Sequence, residues 1–194
     1  LGEGSVNLSY LSGNVMAKDK VLYKGHAVAA VAAVNIHVAE EAASKIKIDY
    51  EVLPSVTWVL DAMADDAPLL HENLFTDHMG EKDEKPSNTA VHMHFEKGNI
   101  EEGFAAADVI VEREFKTATV HQGYIEPHVS VADWTRSGRL KIWTATQGAF
   151  TARQQTAEIL QVPISDVVVT PCEIGGGFGG KIAVYVEPVA ALLS

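Results

Sequence analysis

Gly175-Gly176-Gly177-Phe178-Gly179-Gly180-Lys181 puts five glycines into six positions and closes them with a lysine. Glycine is used where the backbone must take a positive φ or approach another group closely. So dense a run costs conformational entropy on folding, and a bound group held by backbone N–H donors would offset that cost. Consecutive amides in such a turn form a concave nest for an anion or an oxo group. The plain alternative is a flexible glycine turn. The flanks argue against it. Val167-Val168-Val169 reads as a short buried strand that leads through Cys172-Glu173-Ile174 into the run, with no Ser-rich filler.

Working outward, Arg139–Thr146 reads as a strand ending at Thr146-Gln147-Gly148, and residues 151–160 carry helical spacing. The order is therefore strand, Gln147, helix, strand, glycine run. Two strands joined by a helix can lie side by side, which would bring Gln147 and Phe178 to the same end of one sheet, where ligands gather. A glutamine there can offer an amide N–H, although a surface loop glutamine fits the same sequence. Upstream, Val129–Trp134 is a further strand, joined to the next through the turn Arg136-Ser137-Gly138. Val189-Ala190-Ala191-Leu192-Leu193 reads as the start of a helix.

The glycine run does not complete a nucleotide P-loop. Gly175, Gly180 and Lys181 fit the pattern, but position 182 is Ile where a Ser or Thr should ligate magnesium. A dinucleotide fingerprint would need a following strand–helix–strand unit and an acidic residue, for which little sequence remains. His121-Gln122-Gly123-Tyr124-Ile125-Glu126-Pro127-His128 gathers two His and a Glu, yet at spacings of no zinc motif, so a structural role is expected. His92 and His94 would share the polar face of a strand. Cys172 is expected to be a small buried hydrophobe.

The first third reads as strand, helix, strand. Residues 1–25 are polar and turn-rich. Val28–Val34 is a continuous small-apolar run that suits a buried strand, and residues 38–46 have helical spacing. Ile46, Ile48 and Tyr50 then alternate with Lys47, Asp49 and Glu51, as in a half-buried strand ended by Leu53-Pro54. The composition shifts over residues 61–85, where Glu81-Lys82-Asp83-Glu84-Lys85-Pro86 suggests a charged surface connection. Strand patterns resume at Val91–Phe95 and Val109–Phe115, around a short helix from Ile100 with Asn99 as its N-cap. The expected organisation is a first domain over residues 1–75, a linker over 76–88 and a second domain over 89–194.

Composition narrows the function classes. A formal charge of −11 makes the chain a poor candidate for a phosphate-backbone binder, which needs clustered Lys and Arg. No apolar window reaches membrane-spanning length, and no signal-peptide pattern opens the chain. One cysteine permits neither an internal disulfide nor a cysteine-ligated iron–sulfur cluster. A cytoplasmic protein, without nucleic-acid or membrane partners, is expected. The missing initiator Met before Leu1 and the apolar run just before Ser194 suggest a piece of a larger protein.

Taken together, these segments resemble the xanthine dehydrogenase/aldehyde oxidase family of molybdenum hydroxylases. His121–His128 with Glu126-Pro127 is similar to the family's His…Glu-Pro segment, and Ile142–Gln147 to its strand ending in Thr-Gln. Arg153 and Val162-Pro163 fit the next stretch, and Gly175–Lys181 its Gly-Gly-Gly-Phe-Gly-Gly-Lys signature. Tyr23–Val31 and Ile48–Pro54 resemble its α/β-hammerhead domain. The resemblance covers roughly residues 20–190 of the chain.

The resemblance implies an α+β fold, with a partial α/β-hammerhead followed by a mixed-sheet molybdopterin-binding domain. It implies a molybdenum–molybdopterin cofactor, with Gln147 hydrogen-bonded to an oxo ligand and Gly177, Phe178 and Gly179 against the metal centre and pterin. The implied reaction is hydroxylation of an aldehyde or N-heterocycle with oxygen from water. Ile182 stands on the substrate side, where purine-oxidising members carry a Glu, which favours a less polar substrate. The family's catalytic Glu would lie beyond Ser194, so no catalytic residue is expected here and the isolated chain should be inactive. The implied partners are the rest of the large subunit and iron–sulfur and flavin modules on other domains or subunits. The competing expectation is a non-catalytic scaffold or partner-binding domain of the same fold.

Overall fold

The computed structural model describes residues 8–194. It divides into two compact units, one made of residues up to Lys47 with Thr119–Ser194, the other of Ile48–Ala118. The mixed α and β content and the small sheets agree with the expected α+β class.

In the first unit, a three-stranded sheet has the order β3-β4-β5, with β3 at Ser130–Trp134, β4 at Leu140–Thr144 and β5 at Val167–Pro171. β3 and β4 form an antiparallel hairpin, and β4 and β5 run parallel, so the sheet is mixed. The hairpin turn is fixed by Thr135, whose N donates to Arg139 O at 2.8 Å. On β4, Leu140, Ile142 and Thr144 face inward while Lys141 and Trp143 face out, the period of two that a half-buried strand requires.

The parallel pair needs a crossover. Helix α5, Ala149–Leu160, supplies it. The helix ends where Gln161 turns left-handed at φ 55° and donates to the carbonyls of Ala157 and Glu158. Arg153 ties helix to sheet, donating from Nε to Val167 O at 2.7 Å and from Nη2 to Ile164 O at 2.7 Å. Leu140, Ile142, Ala157, Val167 and Ala191 form the core, the last from helix α6, Glu187–Leu193. A second cluster joins Ala152 and Val184 to Leu11 of helix α1, Leu8–Val15. The polar N-terminal stretch, expected to be turns, thus contains a helix with two buried apolar residues, Leu11 and Val15.

Helix α2, Ile36–Ser44, forms where helical spacing predicts it, capped by Asn35, whose side chain accepts from Val38 N. The flanking strands do not form. Val28–Val34 and Ile46–Tyr50 are unpaired and largely exposed. The pattern supplies a face, but a strand also needs an edge to pair with, and none of the described residues offers one.

In the second unit, the charged stretch expected to be an irregular connection is an antiparallel hairpin of β1, Phe75–His78, and β2, Glu81–Pro86. Its turn is Met79-Gly80, both at positive φ (62° and 114°), the backbone a two-residue hairpin demands. All six β2 residues are exposed, so no apolar alternation marked the strand. A short helix α3, Val59–Ala62, precedes the hairpin. Asn88 braces this unit, donating from Nδ2 to Ala62 O and Pro68 O at 3.0 Å and accepting from Leu70 N at 2.9 Å. Helix α4, Ile100–Ala105, is capped by Asn99 as expected, its side chain accepting from Glu101 N and Glu102 N. Val91–Phe95 reduces to an isolated bridge between Val91 and Asp77, and Val109–Phe115 is unpaired.

Candidate cofactor site

β4 and β5 end side by side, and the segments leaving them meet. Gln147 N donates to Lys181 O at 2.9 Å, and Thr146 Oγ1 lies 3.2 Å from the same carbonyl. The Gln147 side chain turns into the glycine loop, where Oε1 accepts from Gly179 N at 3.0 Å and Lys181 N at 3.2 Å. Two N–H donors on one atom define it as the carboxamide oxygen, so Nε2 is left as a donor. It has no acceptor among the described residues.

The loop's composition follows from these approaches. A Cβ on Gly177 would lie 2.5 Å from Gln147 Oε1, and one on Gly175 would lie 2.6 Å from Glu126 Cβ. Phe178 carries a side chain in the left-handed region, at φ 49°, and is 71% exposed. That conformation costs a non-glycine residue about 1–3 kcal/mol and persists only where its surroundings impose it. The amides of Gly176, Gly177 and Phe178 meet no acceptor among the described residues; Gly177 is buried beneath the Gln147 side chain, while Phe178 is exposed.

Behind the loop lies a polar layer. Lys181 is buried, its side chain 0% exposed, and Nζ donates to Glu126 Oε2 at 2.6 Å. The same oxygen accepts from Gly175 N at 2.8 Å, and Glu126 N donates to Gly175 O at 3.3 Å. These two donors, Lys181 first, hold the Glu126 carboxyl below the ordinary carboxylate range. Lys181 Nζ also sits 5.1 Å from the Tyr124 ring centroid. Tyr124 Oη lies 3.0 Å from His128 Nε2, and the His128 ring meets Tyr185 at 5.0 Å. Burial pushes the His128 pKa down, against an opposing pull from Glu187 and with a smaller push from Lys181. Which of the two atoms donates across the Tyr124–His128 contact depends on the His128 tautomer. Buried Glu187 is held by Thr144 Oγ1 at 2.7 Å and Tyr185 N at 3.0 Å.

The structure therefore brings together Gln147, Gly177, Phe178 and Gly179, with partly buried Ile182 next to Lys181 in the chain. It also brings the His121–His128 segment behind them as a support, and no three His, Cys, Asp or Glu among the described residues cluster as metal ligands. The lysine closing the glycine run faces inward onto Glu126, which removes it as a phosphate ligand. Sequence reading noted Glu126 and Lys181 separately and missed their pairing; it missed Tyr185 and Glu187 altogether. Cys172 departs from expectation. Its backbone N extends the β4–β5 pairing to Thr144 O at 3.0 Å, but the residue is exposed. Among the described residues no helix is long and apolar enough to cross a membrane.

A glutamine-braced glycine loop at the end of a mixed sheet defines a cofactor-binding domain. Residues 81–194 match the molybdopterin cofactor-binding domain, and residues 3–54 match the a/b hammerhead domain of aldehyde oxidase and xanthine dehydrogenase. The chain belongs to this family of molybdenum hydroxylases. It is 31% identical to a probable xanthine dehydrogenase subunit of Bacillus subtilis, over 93% of this chain and 22% of that protein. It is 30% identical to the nicotinate dehydrogenase large molybdopterin subunit of Eubacterium barkeri, over 92% of this chain and 39% of that one. The reconstituted CO dehydrogenase from Oligotropha carboxidovorans superposes with a TM-score of 0.75 at 30% identity, covering 94% of this chain and 24% of that chain. The chain thus spans well under half the length of these relatives.

Proposed function

We propose that the β4–β5 end of the first unit holds one side of a molybdenum–molybdopterin cofactor in an oxidoreductase that hydroxylates an aldehyde or an N-heterocycle. The carrying observation is the locked Gln147 carboxamide. With Oε1 taken by Gly179 N and Lys181 N, Nε2 is the one group left to face a ligand, and it can only donate. The amides of Gly176 and Phe178, without acceptors among the described residues, add donors, while the absence of a Cβ at 177 lets the Gln147 carboxamide seat against the loop backbone. A cofactor rich in oxo and phosphate oxygens, which only accept, fits such a donor set.

In this reading Gln147, Gly177, Phe178 and Gly179 hold the cofactor. When bound, molybdenum supplies the redox chemistry, taking the two electrons lost by a carbon that receives oxygen from water. This chain's residues bind and orient, and their hydrogen bonds are in place beforehand. Phe178, exposed on the loop, and Ile182 would present apolar surface to the substrate, which favours a ring or aldehyde without the charge pattern of a purine. Electrons would pass to iron–sulfur and flavin modules in other domains or subunits. We also propose a hammerhead portion over residues 1–75 and a cofactor domain from residue 89, joined through 76–88. The exposed thiol of Cys172 suits a reducing compartment, so the cytoplasm is the proposed location.

The test is molybdenum by elemental analysis of the full-length protein, with a Gln147→Ala variant alongside. About one molybdenum per chain, with activity reduced in the variant, is expected. A molybdenum-free protein that folds would overturn the reading. The isolated 194-residue chain should give no substrate-dependent dye reduction.

A further inference from the structure

Three features of the first unit converge on one carboxylate. Glu126 Oε2 receives the amide of Gly175, where the glycine loop begins, at 2.8 Å. It also receives the ammonium of Lys181, where the loop ends, at 2.6 Å. Gly175 has no space for a Cβ against Glu126, so the Glu126 side chain is pressed onto the Gly175 backbone. Lys181 is fully buried while Glu126 is 30% exposed. A lysine ammonium taken wholly out of water needs a compelling partner. Here the partner is shared with the loop's own backbone.

We infer that Glu126 and Lys181 form a clamp that fixes the span of the glycine loop, and that Glu126 is a positioning residue for the cofactor donors of that loop. The inference rests on the cofactor reading proposed above. The loop's two ends are six residues apart in sequence and meet on one oxygen atom. With the span set, Gly179 N and Lys181 N are held where Gln147 Oε1 receives them, and Nε2 of Gln147 is turned outward. The lysine of the glycine signature is thus an internal counter-ion. Its charge sets the loop's curvature, and the ligand is left to neutral N–H donors.

The alternative is that the pair only stabilises the fold, and the two roles separate experimentally. Breaking a buried pair from one side leaves an uncompensated charge, whereas replacing both members with apolar residues of similar volume is often neutral or stabilising. In the full-length holoenzyme, Glu126→Gln, Glu126→Asp and the double variant Glu126→Met/Lys181→Met would be compared with the parent. The readouts are molybdenum per chain, the thermal unfolding midpoint, and kcat against KM.

The double variant is expected to unfold near the parent's midpoint while its molybdenum content falls about tenfold or more. Glu126→Asp keeps the charge but draws the carboxylate back, and should lose molybdenum with little loss of stability. If Glu126→Asp fails to fold, the double variant still decides, and the reverse holds. A double variant with full stability and full molybdenum would overturn the clamp. So would single variants with parental metal content and kcat. A parent without molybdenum would instead sink the cofactor reading itself, so the two failures are distinguishable.

Discussion

Gly177 stands so close to Gln147 that a Cβ at position 177 would fall 2.5 Å from Oε1, 2.7 Å from Cδ and 2.9 Å from Cγ of the glutamine. The glutamine cannot give way freely, because that oxygen is held by Gly179 N and Lys181 N and its own N–H is held by Lys181 O. Gly177→Ala therefore has to displace either the loop or the carboxamide. Forcing one extra carbon into such a contact costs about 1–3 kcal/mol. The expected outcome is a lower unfolding midpoint with a disproportionate loss of molybdenum. A variant with parental metal content and stability would show that the loop can shift without consequence.

The two ends of the Gln147 carboxamide have different duties, and two variants separate them. Gln147→Glu keeps an oxygen acceptor for Gly179 N and Lys181 N but replaces the Nε2 donor with a second acceptor. Stability should stay near the parent's, while activity falls about 10- to 100-fold, the usual cost of losing an orienting hydrogen bond at a metal centre. Gln147→Ala removes the acceptor as well and should also lower the unfolding midpoint. Equal activity in parent and Gln147→Glu would mean that Nε2 faces nothing.

The arrangement was legible in the sequence where one local pattern carried it. The glycine run, Gln147 after a strand, and the intervening helix together predict parallel neighbours with their ends adjacent, and β4, α5 and β5 meet that expectation. Asn99 as a cap was legible because the capping residue precedes the helix directly. Illegible were relations that cross the chain. Glu126 and Lys181 are 55 residues apart, and nothing local says that one will bury the other's charge. The strands expected at Val28–Val34 and Val109–Phe115 failed for a related reason: alternation describes a strand's faces, while pairing depends on an edge supplied from elsewhere. The β1–β2 hairpin was hidden in the opposite way, by charged residues on a ribbon exposed along all of β2.

Thr144 and Thr156 are both buried, yet the same substitution should act on them with opposite sign. Thr144 Oγ1 donates to Glu187 Oε1 at 2.7 Å. Thr144→Val leaves that buried carboxylate oxygen without its donor, at a cost of about 1–3 kcal/mol. Thr144→Ser should recover most of the loss. Thr156 Oγ1 is buried with no partner among the described residues. Thr156→Val removes an unsatisfied hydroxyl and should leave stability unchanged or raise it. Denaturant unfolding of the two valine variants checks both, and a large loss at 156 would point to a partner for that hydroxyl.

His128 should make stability depend on pH in a definite direction. Its neighbours are the Tyr124 hydroxyl, the Tyr185 ring, Glu187, which favours the imidazolium, and Lys181, which disfavours it. Burial dominates and holds the folded pKa below the ordinary 6.5. The unfolded chain then takes up a proton at a pH where the folded chain does not. By linkage, the contribution of His128 is complete above about pH 6.5, shrinks as the pH falls through that value, and levels off below the folded pKa. His128→Gln should flatten the stability profile in this window. Glu126 acts in a separate, more acid window: its depressed carboxyl contributes stability above an ordinary 4.5 that is lost as the pH falls towards the folded value. Unfolding midpoints of parent and His128→Gln between about pH 5 and 8 make the comparison. If the parent instead gained stability relative to the variant on acidification, the attraction of Glu187 would outweigh burial, and His128 would be a charged partner of the helix α6 carboxylate instead of a neutral ring beside Tyr124.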